Sequence, residues 1–170
     1  YANGLDDDPV RAYDNREDIK SVGHGMTFRR NLRGADDIGI ALTELTDKVS
    51  TRLRRHDKWA RGVKIEITTP EFKRFSRQKR LPSPINSPAA FRNAAVELIS
   101  NLNFMNKPIR LLTVTAIDLT DSPDDGQLTI FTMGATTDEK QRSEKDENIA
   151  KAMDEIRDKF GKSSIRFAHV

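Results

Sequence analysis

Two hydrophobic periods alternate along this chain, and their order restricts the fold more than any other feature of the sequence. Residues 20–30 set apolar Val22, Met26 and Phe28 against polar Thr27, Arg29 and Arg30, which reads as a strand. Gly23 and Gly25 weaken that strand's interior but allow a bulge or a close backbone approach. Residues 36–56 change period: Ile38, Leu42, Leu45, Val49 and Leu53 keep one helical face apolar. Asp36 and Asp37 at the start, and Arg52, Arg54 and Arg55 at the end, complement the helix dipole. Residues 63–69 alternate with period two, a half-buried strand. After a turn at Pro70 and Glu71, residues 73–81 read as another strand, very basic on its outer face. Pro82 and Pro84 then punctuate. Ser87 can cap a helix whose first position is Pro88 and whose apolar face is Phe91, Ala95, Leu98, Ile99 and Leu102. Residues 109–119 supply the last strand.

The order is β-α-β-β-α-β. It predicts an α+β fold: a four-stranded antiparallel sheet with two helices on one face, plus a C-terminal helical tail. The helices leave the other sheet face open. By alternation that face includes Thr27, Arg29, Ser76 and Lys79 or their neighbours, while Phe28 and Phe75 turn toward the helices. A one-residue slip of register would exchange the faces.

Charge is segregated along the chain. The net charge is only +3, yet residues 20–81 hold sixteen Lys/Arg against seven Asp/Glu, a balance of +9. Residues 116–158 hold five against twelve, and residues 1–18 hold two against six. Basic charge gathered in one structural half is the footprint expected of phosphate binding. Ordinary surface solvation explains the acidic tail well and the basic half less well, because few acids offset the arginines there. The chain has no cysteine, which excludes disulfides and thiolate metal sites. No apolar run approaches membrane-spanning length, so no membrane partner is expected. His24, His56 and His169 lack metal-ligand spacing, and Asp6, Asp7 and Asp8 read as a solvated turn, so no metal site is assigned. No nucleophile and base set marks an enzyme.

The flanks have their own character. Residues 1–19 are acidic and turn-rich, a helix end followed by a linker. Residues 20–119 form the domain core, and residues 120–143 a flexible segment. Residues 144–170 form an amphipathic helix and tail, with Ile149, Met153, Ile156 and Phe160 on one stripe and a stop at Gly161. Within the flexible segment, Gln127, Leu128, Ile130 and Phe131 follow a run of turn residues. They read as an extended docking peptide whose apolar anchors fill a partner's groove. The same residues also read as an edge strand.

Several of these motifs resemble one family. Residues 20–23, Thr27 and Arg30 are similar to the opening of the little-finger domain of Y-family translesion DNA polymerases of the DinB and UmuC type. Ser76, Arg77, Lys79, Leu81 and Pro82 resemble that domain's third strand, where a serine and arginines meet DNA phosphates. Residues 1–5 resemble the end of the preceding thumb domain. Residues 127–131 resemble the peptide with which bacterial polymerases bind the sliding clamp.

The resemblance implies a non-catalytic fragment of a bacterial error-prone repair polymerase. It would hold template-primer DNA by its backbone through Lys20, Thr27, Arg29, Arg30, Ser76, Arg77, Lys79 and Arg80. It would bind the clamp through Gln127, Leu128, Ile130 and Phe131. It implies no cofactor in this fragment; Mg2+ belongs to the palm domain of the parent DNA-directed DNA polymerase. The expected state is a monomer in the cytoplasm, associated with the nucleoid. The competing expectation is a free-standing RNA- or DNA-binding α/β domain unrelated to replication.

Overall fold

A computed structural model describes residues 19–123, 137–161 and 163–167. The expected linker through residue 18 and the peptide at 127–131 lie outside the described residues. The elements follow in the expected order: β1 (Ser21–Leu32), α1 (Gly34–Arg55), β2 (Trp59–Thr68), β3 (Arg74–Ile85), α2 (Pro88–Asn101), β4 (Ile109–Thr120) and α3 (Thr137–Phe160). Four strands form one antiparallel sheet in the order β1-β4-β2-β3. The α+β expectation is met. The first and third strands are the two edges, and the last strand is inserted between the first and second.

The helices form where their periodicity places them. Ile38, Leu42, Leu45, Val49 and Leu53 of α1 are fully buried against the sheet. Burying each such side chain is worth about 1.5–3 kcal/mol relative to exposure. The Asp37 carboxylate accepts from the backbone N–H of Arg33 at 2.9 Å, which satisfies one of the orphan donors at the start of α1. At α2 the Ser87 hydroxyl accepts from the N–H of Ala90 at 3.3 Å, with Pro88 leading the helix. Phe91, Ala95, Leu98 and Ile99 then close the core over Val63, Ile65 and Ile67 of β2 and Leu112, Val114 and Ala116 of β4.

Two boundaries differ from expectation. Strand β3 continues through Pro82 and Pro84 to Ile85. Proline interrupts a central strand, but an edge strand has one side with no partner to satisfy. Helix α3 starts at Thr137, seven residues before the helix expected from residue 144. The buried stripe of α3 is also a correction. Of Ile149, Met153, Ile156 and Phe160, only Met153 is buried, together with Ala150 and Arg157. Polar pairs set the rotation of this helix against α1. Arg157 donates to both carboxylate oxygens of Asp47 at 2.9 and 2.8 Å, and Arg54 donates to Asp154 at 2.7 Å. Both arginine side chains are under a tenth exposed.

Candidate nucleic-acid interface

Strand pairing decides which side chains stand on the face that no helix covers among the described residues, because directly paired residues in a sheet point the same way. Val22, His24 and Met26 pair with Ala116, Val114 and Leu112, and these with Val63, Ile65 and Ile67. That set faces the helices. The residues between them form four rows on the open face. From one end to the other, the rows are Ser21, Ile117, Gly62 and Arg80; Gly23, Thr115, Lys64 and Gln78; Gly25, Thr113, Glu66 and Ser76; and Thr27, Leu111, Thr68 and Arg74.

The floor of this face is low and rich in hydroxyls. A Cβ at Gly23 would come within 2.9 Å of the Thr115 hydroxyl, and one at Gly25 would meet the Thr113 hydroxyl still more closely. The two threonines of β4 therefore lean over the two glycines of β1. A bulky side chain there would lift the surface; glycine keeps it shallow enough for a rigid backbone to approach. Arg74 and Arg80 are exposed on β3 at opposite ends of the face. Lys64 lies between them and has Glu66 at 3.4 Å, the one carboxylate in these rows.

The predicted site residues divide between the two faces. Thr27, Ser76 and Arg80 stand in the open rows. Arg29 is exposed just beyond them, where the β1 register shifts between Thr27 and Leu32. Lys20 is exposed immediately before β1. Arg30 turns to α1 and lies 3.2 Å from Asp37. Lys79 is a correction: it pairs in register with Val63, on the helix side, and its ammonium lies 2.5 Å from Glu97 of α2. Arg77, in register with Ile65, is exposed on that same side. The reason is parity, since Ser76 and Lys79 are an odd number of residues apart and a regular strand cannot turn both to one face. Phe75 is on the helix side as expected, its ring centroid 4.9 Å from that of Phe104.

The sequence reading misses Lys64, Arg74, Gln78, Thr113 and Thr115. Alternation around Val63, Ile65 and Ile67 already places Lys64 outward. The strand order that brings Thr113 and Thr115 alongside the glycines of β1 is not written in any local pattern. His24 sits under β1 on the helix side. Burial, then the nearby Lys48 and Arg52 charges, hold its pKa below the usual histidine value.

Comparison with known proteins gives a consistent picture. The family model described as the impB/mucB/samB family C-terminal domain matches residues 19–130. A DNA polymerase IV of Acetivibrio thermocellus is 31% identical over 166 residues, covering 98% of this chain and 40% of that protein. A DNA polymerase IV of Clostridium kluyveri is 28% identical over 166 residues, covering 98% of this chain and 41% of that protein. The chain thus spans about two fifths of the length of these curated relatives. Among solved structures, a complex of a β-clamp processivity factor with the little finger domain of PolIV aligns at a TM-score of 0.50 and 15% identity. That alignment covers 65% of this chain and 97% of that one. A Y-family DNA polymerase chimera of Dbh and Dpo4 also aligns at 0.50 and 15% identity, over 62% of this chain and 30% of that one. At such identities the likeness is one of fold.

Proposed function

Since this chain belongs to the impB/mucB/samB family of C-terminal domains, we propose that it is the DNA-holding and clamp-recruiting part of a bacterial translesion DNA polymerase. The observation that carries this reading is the uncovered sheet face, floored by glycine and threonine and flanked by Arg74, Lys64 and Arg80. Cations around a shallow, hydroxyl-rich surface suit a phosphate backbone, and such contacts hold a duplex without reading its sequence. Thr27, Arg29, Ser76 and Arg80 are retained as DNA-backbone contacts, joined by Lys64, Arg74, Thr113 and Thr115. Lys20 is retained as an exposed neighbour of this face. Arg30, Arg77 and Lys79 are assigned supporting positions away from it.

Gln127, Leu128, Ile130 and Phe131 are proposed to bind the sliding clamp, with glutamine hydrogen-bonding at the groove and the three apolar side chains filling it. The solved PolIV little finger domain is in complex with a β-clamp processivity factor, which supports this assignment. Nucleotide transfer and its Mg2+ ions are assigned to the palm domain of the parent enzyme. Among the described residues, no three His, Asp or Glu side chains converge to hold a metal. The chain is proposed to act in the cytoplasm, at the nucleoid. Family membership favours this reading over a free-standing nucleic-acid-binding domain unrelated to replication.

The test is a pair of titrations, with primer-template DNA and with purified bacterial clamp, of wild type and of a Leu128→Ala/Phe131→Ala variant. Buried anchors of this kind cost about 2 kcal/mol or more each when truncated, so clamp affinity should fall by more than about tenfold. DNA affinity should stay unchanged. Equal clamp binding by the two proteins would refute the assignment of the peptide, and absence of DNA binding by wild type would refute that of the sheet face.

A further inference from the structure

The turn between β2 and β3 carries an aromatic residue that neither the core nor the turn requires. Phe72 has φ 61°, a left-handed conformation that a bulky side chain rarely adopts. The turn is closed on both sides: Phe72 N–H donates to the Thr69 carbonyl, and Thr69 N–H donates to the Lys73 carbonyl, each at 2.9 Å. Glycine or asparagine would serve such a position with less strain. Yet Phe72 is 70% exposed, so burial does not account for it. Strained residues that the surrounding structure holds in place concentrate at functional sites.

The surroundings indicate what the ring could meet. The guanidinium of Arg110, from β4, lies 4.9 Å from its centroid. Nearby on β3, Arg74 is exposed and closes the last row of the open face. On the other side of the sheet, Phe75 is 39% exposed beside Phe104, which has the Lys107 ammonium 5.2 Å from its ring centroid. Aromatic rings and cations therefore interleave at one end of the sheet. Phosphate gripping alone calls for the cations and not for the rings. A ring backed by arginine and exposed to solvent, preceded by Glu71 but followed by Lys73 and Arg74, matches a nucleobase that carries its own phosphate. It matches an apolar protein surface poorly, because such a partner would have to desolvate the arginines.

We propose that Phe72, backed by Arg110, stacks on an unpaired DNA base, so that this chain engages a single-stranded stretch next to the duplex held by the open face. The site rests on the DNA-binding reading above, and the experiment separates the two. The 170-residue chain is titrated by fluorescence anisotropy with labelled oligodeoxythymidylate and with a blunt duplex of equal length, as wild type, Phe72→Gly and Phe72→Trp. Glycine suits the left-handed backbone, so Phe72→Gly is expected to melt no lower than wild type. It should bind the single strand roughly fivefold or more weakly while its duplex affinity stays within about twofold, and Phe72→Trp should retain single-strand affinity. Unchanged single-strand binding by Phe72→Gly, or equal loss on both DNAs, overturns the stacking site. If wild type binds duplex but no single strand, the stacking site falls and the duplex reading stands. If it binds neither, both fall.

Discussion

Replacing Arg74 and Arg80 together by alanine is expected to flatten the salt dependence of duplex binding, whereas replacing Arg77 and Lys79 together is not. Each variant removes two positive charges from the same edge strand, so net charge and strand content change equally. Only the face differs. Arg74 pairs with Thr68 and Arg80 with Gly62 on the open side; Arg77 pairs with Ile65 and Lys79 with Val63 on the helix side, where Lys79 already meets Glu97. Each phosphate neutralised contributes about 0.9 to the slope of log affinity against log salt, so the open pair should account for about 1.8. Salt raised from about 50 to about 200 mM spans about 0.6 log units, so wild type should lose roughly twelvefold more affinity over that range than the Arg74→Ala/Arg80→Ala variant. The helix-side variant should keep a slope close to that of wild type. Fluorescence anisotropy on a labelled duplex, at several salt concentrations, reads both. Equal flattening by the two variants would mean that facing does not matter, and a flattening confined to Arg77 and Lys79 would reverse the assignment of the binding face.

Two further outcomes follow from other parts of the fold. Arg157→Met should remove the two-pronged pair with Asp47 and leave that carboxylate without its cation at the junction of α1 and α3. Breaking a buried pair costs about 3–5 kcal/mol, but Asp47 is 20% exposed and partly hydrated, so about 2 kcal/mol is expected from urea unfolding. Faster amide exchange in α3 should accompany it, and an unshifted unfolding midpoint would show that α3 contributes nothing to the domain. His24 has its folded pKa depressed by burial and by Lys48 and Arg52, so the unfolded chain binds its proton more readily. Its contribution is present above the ordinary value of 6.5 and is lost as pH falls through the folded pKa. The wild-type melting temperature should therefore drop more than that of His24→Phe between neutral and mildly acidic pH, and parallel curves would count against the effect.

The element order and the family are legible in the sequence because local signals carry them. The spacing of Ile38, Leu42, Leu45, Val49 and Leu53 admits one reading, and Ser87 with Pro88 marks a helix start in two residues. The little-finger resemblance rests on short motifs in a particular order, and the family match over residues 19–130 bears it out. Properties fixed by partners distant in the chain are not legible in this way. The basic neighbours of Lys79 suggest an outward side chain, and only its register with Val63 turns it to Glu97. The two prolines of β3 look like an end because the sequence does not say that β3 is an edge. In α3, Arg157 is buried and Phe160 exposed, against hydrophobicity, because Asp47 lies across a junction more than a hundred residues away in sequence.

The edge positions of β1 and β3 bear on how crowded copies of this chain behave. An open strand edge is a template on which another chain can zip, and it is the usual route by which sheets aggregate. Here Pro82 and Pro84 withhold two backbone donors from the rim of β3. On β1 the Gly23 carbonyl already accepts from Arg52 at 2.9 Å, and the register shift before Leu32 breaks the line of the strand. Lateral growth of the sheet is thereby discouraged at both sides. The rims resist recruitment on both sides, so neighbouring copies of this chain can lie close to one another without fusing edge to edge.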